Sequence, residues 1–313
     1  MTGAGYPVPV VLSDYVSLIK GIIMHYSIRI FIVLLSALIL ASCNLDSQFL
    51  RPTSISLEAK GITFITRTGS TTINFSGENK QPSIQSDIYT IESVFFQSTS
   101  GNNLNGWLIT PTKGKPSTTL LHFHGNAGSL PTQYELMTPL VEQGFQVFLF
   151  DYSGFGFSSG KATRKNVLKD GLSALDYIMA RKDVKNTKLV IYGQSYGGHL
   201  AYIVGSKRQG DIDGIVTEGA FSSPKDISAE VAGILGRIFV REPHCAYKAV
   251  RDIHKPVLII HSTEDSIIPF KMGQKLYDNA NQPKEFMEIL NSHLYGPTYY
   301  TDAIATSIEK MLK

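Results

Sequence analysis

From about residue 60 the apolar and polar positions of the chain follow two rhythms in succession. The first is short and β-like. "GITFITRTG", "DIYTIESVFFQ" and "LNGWLITP" alternate apolar with polar side chains between Gly, Asn and Pro, which predicts antiparallel strands and hairpins. The second rhythm is strand, loop, helix. "TTLLHF" passes through Gly-containing "HGNAGS" into helical "PTQYELMTPLVEQG", and "FQVFLFD" passes through a Gly-rich loop into "RKNVLKDGLSALDYIMARK". "KLVIYG" leads into "SYGGHLAYIVGSKR"; "GIVTE", "KPVLIIH" and "KEFMEIL" supply three more strands before a last helix in "YTDAIATSIEKMLK".

Strands made of unbroken Val, Ile, Leu and Phe are covered on both faces, and their alternation with helices implies right-handed crossovers in a parallel sheet. The expected class is therefore α/β: a mostly parallel, doubly wound sheet with antiparallel strands at its N-terminal side. In such sheets ligands sit beyond the carboxyl ends of the strands.

Ahead of this region the pattern is different. "MHYSIRIFIVLLSALILASC" combines Met24, the positive charge of Arg29, an apolar run from Ile30 to Leu40, and small residues before Cys43. The run is short for a membrane span and fits an export signal. The ending "LASC" resembles a bacterial lipobox, which implies lipidation of Cys43, attachment to the membrane of the cell envelope and, with Asn44 following, a preference for the outer membrane. The expected organisation is residues 1–43 as an over-extended start plus signal peptide, 44–58 as a polar tether and 59–313 as the folded domain. The net charge of +3 comes from 29 basic and 26 acidic residues, well mixed, so no nucleic-acid partner is expected. The two cysteines, Cys43 and Cys245, are too few for a disulfide framework or a closed zinc site.

The chemistry turns on a five-residue pattern, G-x-S-x-G, that occurs twice: "GFSSG" around Ser158 and "GQSYG" around Ser195. The pattern is short and Gly is abundant, so context decides. Ser195 follows an apolar strand almost at once and opens a segment of helical spacing through Leu200, Ile203 and Val204. A turn that sharp strains the serine backbone, needs Gly193 and Gly197 for room, and leaves the hydroxyl at a helix N-terminus. Ser158 lies in a longer loop with no such pinch and is assigned to the rim of a site.

A serine nucleophile needs a base, and the base needs an orienting carboxylate. Of the histidines after Ser195 and outside its helix, only His293 in "LNSHLYG" follows both a strand and a plausible acid. His199 is assigned to helix packing. "HSTEDSIIP" places Asp265 on the loop after a buried strand, with Glu264 solvated and Glu218, one strand earlier, as the alternative acid. Two backbone N–H groups, of Tyr196 and of Asn126 in "HFHGNAG", are the expected oxyanion hole. His122 and His124 lack a third ligand at usable spacing, so no metal and no cofactor is expected.

With "HGNAG", "DYSGFGFSSG", "GQSYGG", "HSTEDSIIP" and "NSH" in this order, the chain resembles the α/β-hydrolase superfamily over residues 59–313. Within it, the chain looks most like the small-lid group of serine-aminopeptidase-like hydrolases and acyl-protein thioesterases. The resemblance implies the α/β-hydrolase fold, the triad Ser195, Asp265, His293, and oxyanion donors at Asn126 and Tyr196. Three positions depart from the pattern: Ser153 stands where the group has Arg, and Ser262 and Ser292 stand where it has Gly. The segment between Glu218 and Lys255 is too short for a large cap. The expected activity is cleavage of esters or thioesters of a small or acyl-bearing substrate. Amide cleavage is the enzymatic alternative, and a catalytically silent envelope binding protein is the alternative outside enzymes.

Overall fold

The computed structural model describes residues 49–66 and 69–313. The expected lipobox, with Cys43 and the apolar run before it, lies outside the described residues.

Eight strands form the central sheet. They are β1 (Tyr89–Gln97), β2 (Asn103–Pro111), β3 (Thr118–Phe123), β4 (Gln146–Phe150), β5 (Lys188–Gln194), β6 (Gly214–Glu218), β7 (Val257–Ser262) and β8 (Lys284–Ile289). Their order across the sheet is β8-β7-β6-β5-β3-β4-β2-β1. The hairpin β1–β2 is antiparallel, and β2 meets β4 antiparallel. All strands from β4 to β8 run parallel. The apolar runs dictate this placement: every residue of β3, β4, β6 and β7 is buried, as only a strand covered on both faces requires. β8 is an edge strand, and its pattern is correspondingly half-buried.

Helices α1 (Arg164–Ala180), α2 (Tyr196–Arg208), α3 (Pro224–Phe239), α4 (Phe270–Asn279) and α5 (Thr301–Met311) make the crossovers and the cover. α1 starts where Thr163 caps it, its side chain accepting from Asn166 N–H. The chain runs from β3 to β4 on one side and then returns to place β5 on the other side of β3. That reversal opens a crevice at the carboxyl ends of β3 and β5, where two diverging loops leave room for a ligand.

The α/β architecture is the one expected, with three local differences. "PTQYELMTPLVEQG" is not one helix but Leu130–Gln133, a 3₁₀ turn at Tyr134–Leu136, and Thr138–Glu142, because Pro139 has no N–H to continue the ladder. A strand at Gly69–Ser76, largely polar and so missed, pairs antiparallel with Gly61–Thr66. The stretch expected as tether is docked from residue 49: Leu50 is buried, Arg51 N–H donates to Asn126 O at 2.8 Å, and Ile55 N–H donates to Gly156 O at 2.7 Å. After β6 comes α3, capped by Ser223 and broken inside at Ala232 and Gly233. Its Val231, Ile234, Leu235 and Ile238 are exposed. Among the described residues, no helix is long and apolar enough to cross a membrane.

Candidate active site

β5 ends at Gln194 and α2 begins at Tyr196, so Ser195 alone makes the turn. Its backbone sits at φ 52°, ψ −116°, outside the regions a residue with a Cβ favours. The surroundings hold it there. Ser195 N–H donates to Glu218 O at 2.9 Å, and His199 N–H closes the first turn onto Ser195 O at 3.2 Å. A Cβ on Gly197 would stand 1.9 Å from Phe123 O, and one on Gly193 would stand 2.4 Å from Gly197 O. Only glycines let strand, elbow and helix approach this closely. Ser195 is 8% exposed, at the N-terminus of a helix of 13 residues whose partial positive charge favours an anion.

Asp265 leaves the loop after β7. Its Oδ1 accepts Ile267 N–H at 2.9 Å and Ile268 N–H at 2.8 Å, while Oδ2 lies 2.6 Å from His293 Nδ1. The Asp265 side chain is 1% exposed and that of His293 is 10% exposed. Burial pushes the Asp265 carboxyl up, but the His293 bond and charge and the two backbone donors together hold it below the usual carboxylate range. An ionised carboxylate only accepts, so Nδ1 of His293 is the donor in this contact. The pair reaches the elbow across Gly219, which follows the carbonyl that holds Ser195. A Cβ there would stand 2.9 Å from the His293 ring and 3.3 Å from Asp265 Oδ2. Gly219 has φ +57°, so both its backbone and its missing side chain are required.

The other expected residues fall as follows. The Asn126 loop leaves β3 beside the elbow: the Cβ position of Gly125 is 3.7 Å from Ser195 Cβ. Tyr152 OH donates to His124 O at 2.9 Å and supports that loop from below. Tyr196 opens α2 directly after Ser195. The alternative acid Glu218 is brought close, but its carboxylate is taken up by three donors other than His293. Glu264 is exposed and accepts Asn291 N–H at 3.0 Å, latching the loop that carries His293. His122, beside Gln194, and His124, beside Gly125 O, are buried, which lowers their pKa values to about 4 and about 3. Among the described residues no three His, Cys, Asp or Glu side chains converge to hold a metal ion.

Ser158 is not a rim residue. It is 6% exposed, its Oγ donates to Asp151 O at 2.6 Å and accepts Asn105 N–H at 2.9 Å. "GFSSG" is thus an internal brace, with its hydroxyl fully engaged. His199 packs as expected, stacked on Phe221 with ring centroids 4.4 Å apart. Two departures from the family pattern have structural roles that were not legible in the sequence. Ser153 is held by Asp170 Oδ2, which accepts its N–H at 2.8 Å, and by Asn102 Nδ2, which donates to its Oγ. Ser262 Oγ donates to Asn291 O and accepts Glu264 N–H, tying the Asp265 loop to the His293 loop.

Comparison with known proteins bears on the fold. A family model described as the alpha/beta hydrolase fold matches residues 118–240, from the first residue of β3 to just past α3. The uncharacterized protein YfhR of Salmonella typhi is 36% identical over 211 residues, covering 62% of this chain and 71% of that protein. An esterase of Pyrococcus furiosus superposes with a TM-score of 0.59 at 18% identity, covering 72% of this chain and 91% of that one. Est1E of Butyrivibrio proteoclasticus with ferulic acid bound superposes with a TM-score of 0.59 at 18% identity, over 70% of this chain and 99% of that one. The last two likenesses speak for the fold; together with the family model and the sequence relative, they make this chain a member of the α/β-hydrolase superfamily.

Proposed function

We propose that the chain is a serine hydrolase that cleaves carboxylic esters or thioesters through an acyl-enzyme, with Ser195 as nucleophile, His293 as base and Asp265 as orienting acid. The observation that carries the proposal is the 2.6 Å contact between His293 Nδ1 and Asp265 Oδ2, packed against the glycine that follows the carbonyl holding Ser195. Two of the similar solved structures bear the name esterase or Est, which favours the ester reading.

In this scheme Ser195 Oγ attacks the substrate carbonyl carbon as its proton passes to His293 Nε2. The oxyanion is met by the N–H groups of Asn126 and Tyr196. The leaving alcohol or thiol departs with the proton from Nε2. Water then gives its proton to Nε2 and attacks the acyl carbon; Oγ leaves, takes that proton back, and the acid product is released. The segment between β6 and β7 carries one broken helix and is too short for a large cap, which suits an adaptable acyl site better than an engulfed ligand.

A fluorophosphonate probe tests the scheme: it is expected to label the wild type and not Ser195→Ala. An unlabelled wild type would favour a silent binding protein, and equal labelling of Ser195→Ala would place the nucleophile elsewhere. A panel of p-nitrophenyl esters, acyl-thioesters and anilides separates ester, thioester and amide cleavage. We also propose that Cys43 carries a lipid that holds the protein to the bacterial envelope, on the sequence pattern alone. Detergent partitioning of the wild type is expected to shift to the aqueous phase in Cys43→Ala, and identical partitioning counts against it.

A further inference from the structure

One buried charged side chain at the site has no part in the proposed chemistry. Glu218 ends β6 and is 1% exposed. Its Oε2 accepts Gln194 Nε2–H at 2.8 Å and Tyr192 OH at 3.2 Å, and its Oε1 accepts Gly296 N–H at 2.6 Å. Its own carbonyl accepts Ser195 N–H at 2.9 Å. Gln194 immediately precedes the nucleophile, and Gly296 lies just beyond the base. Gln194 Oε1 in turn faces His122 Nε2 at 3.0 Å, near the end of the strand from which the oxyanion loop departs. One continuous chain of buried hydrogen bonds thus crosses the carboxyl ends of β3, β5 and β6 and reaches the base loop.

Every side-chain bond in this chain is donated toward Glu218, the pattern an ionised carboxylate satisfies. For the fold alone the charge is a poor choice. Burial pushes the Glu218 carboxyl above its ordinary range, against the pull of Gln194, Gly296, His293 and Tyr192. A desolvated charge weighs against folding even when its hydrogen bonds are good, and a well-packed neutral side chain would weigh less. What the carboxylate supplies is a fixed distance between two loops that would otherwise be held separately.

We propose that Glu218 is a positioning residue that yokes the Ser195 elbow to the His293 loop, so that nucleophile and base are aligned by one buried carboxylate. The proposal rests on the serine-hydrolase reading above. It explains why the elbow N–H is tied to the same residue whose side chain holds the base loop.

The test is Glu218→Gln in the full chain, assayed with p-nitrophenyl butyrate. The new amide keeps the Gly296 N–H bond through its oxygen but sets its NH₂ against Gln194 Nε2, donor against donor. Gln194 can turn its amide only if His122 moves its proton from Nε2 to Nδ1, a buried nitrogen that has no acceptor. The expected result is a kcat lower by about tenfold or more, since sub-ångström misalignment of reacting groups is costly. KM is expected to stay within about twofold, because alignment acts on the reacting atoms and not on substrate binding. The thermal unfolding midpoint is expected to fall by no more than a few degrees, because removing the desolvated charge offsets most of the cost of the two facing donors. The double variant Glu218→Gln/Gln194→Glu restores a donor and an acceptor at the broken link and is expected to recover most of the lost kcat. A wild type that neither turns over the ester nor takes the fluorophosphonate overturns the hydrolase reading itself. A labelled, active wild type with unchanged kcat in Glu218→Gln overturns the positioning role alone. A kcat loss that tracks lost thermal stability and is not recovered by the swap, or failure of both variants to fold, assigns Glu218 to the fold and also overturns it.

Discussion

Replacing Asp265 by Asn isolates the orienting role of the acid from its place in the fold. In the structure Oδ1 of Asp265 accepts two backbone N–H groups, of Ile267 and Ile268, and Oδ2 faces His293 Nδ1 at 2.6 Å. An Asn side chain keeps the first two bonds through its amide oxygen, so the loop stays anchored. Its NH₂ then points at Nδ1 and can only donate, which makes Nδ1 the acceptor and moves the imidazole proton to Nε2. The base is thereby presented in the wrong tautomer to the Ser195 hydroxyl. A loss of this kind is worth roughly 10³- to 10⁴-fold in kcat, or about 4 to 5.5 kcal/mol of transition-state stabilisation. Stability changes far less. With one buried bond altered at a cost near 1 kcal/mol, the unfolding midpoint is expected to move by roughly 2 to 4 °C. Steady-state hydrolysis of a p-nitrophenyl ester and a thermal melt on one preparation check both halves. Asp265→Asn keeping more than a tenth of wild-type kcat would refute the triad assignment. A large fall in the melting midpoint would show that the loss came from the loop and not from the tautomer.

Gly197→Ala puts a methyl group 1.9 Å from Phe123 O and 2.5 Å from His124 O, overpacking expected to cost about 3 kcal/mol and to displace the oxyanion loop. Probe labelling at Ser195 should fall together with the melting midpoint; a normally active, normally stable variant would disprove the pinch at the elbow. Ser158→Ala leaves Asn105 N–H without its acceptor, for a cost of about 1 to 3 kcal/mol, while labelling at Ser195 persists. Loss of labelling in a folded Ser158→Ala protein would give that serine a role it is denied here. Stability should also depend on acid. His122 is buried with its pKa lowered to about 4, so between about 6.5 and 4 the unfolded chain takes up a proton that the folded chain refuses. The sign is therefore a loss of stability as pH falls through that window, on the order of 3 kcal/mol from this residue, levelling off below about 4. Buried His124 and His199, both lowered to about 3, act in the same direction, and so does Asp265 as pH falls through its depressed value. Asp151 and Glu218, whose carboxyls burial pushes up, act in the opposite direction. The check is therefore made on the rings themselves: imidazole resonances of His122, His124 and His199 that titrate near 6.5 in the folded protein would contradict their neutral burial.

Much of this protein follows from its sequence read alone. The unbroken apolar runs from Thr118 onward could be buried only as strands of a parallel sheet, because nothing else hides both faces of so short a segment. The choice of Ser195 over Ser158 was also local: one residue between a strand and a helix is a steric fact that the pentapeptide and its neighbours carry themselves. Asp265 and His293 were legible as loop residues past strand ends, though the sequence could not show the bond between them, which spans 28 positions.

Tertiary structure alone decided the rest. Ser158, read as rim, is a brace because Asn105, on a strand far away in sequence, donates to it. The polar stretch after residue 49, read as tether, is docked because the loop of Asn126 offers it a carbonyl acceptor. Glu218, considered only as an alternative acid, binds Gln194 and Gly296 across 24 and 78 positions. Local propensity and periodicity report which surface a segment must bury. A buried polar group is satisfied by whichever partner the finished fold brings within hydrogen-bonding distance, and that partner is set by packing between segments remote in the chain.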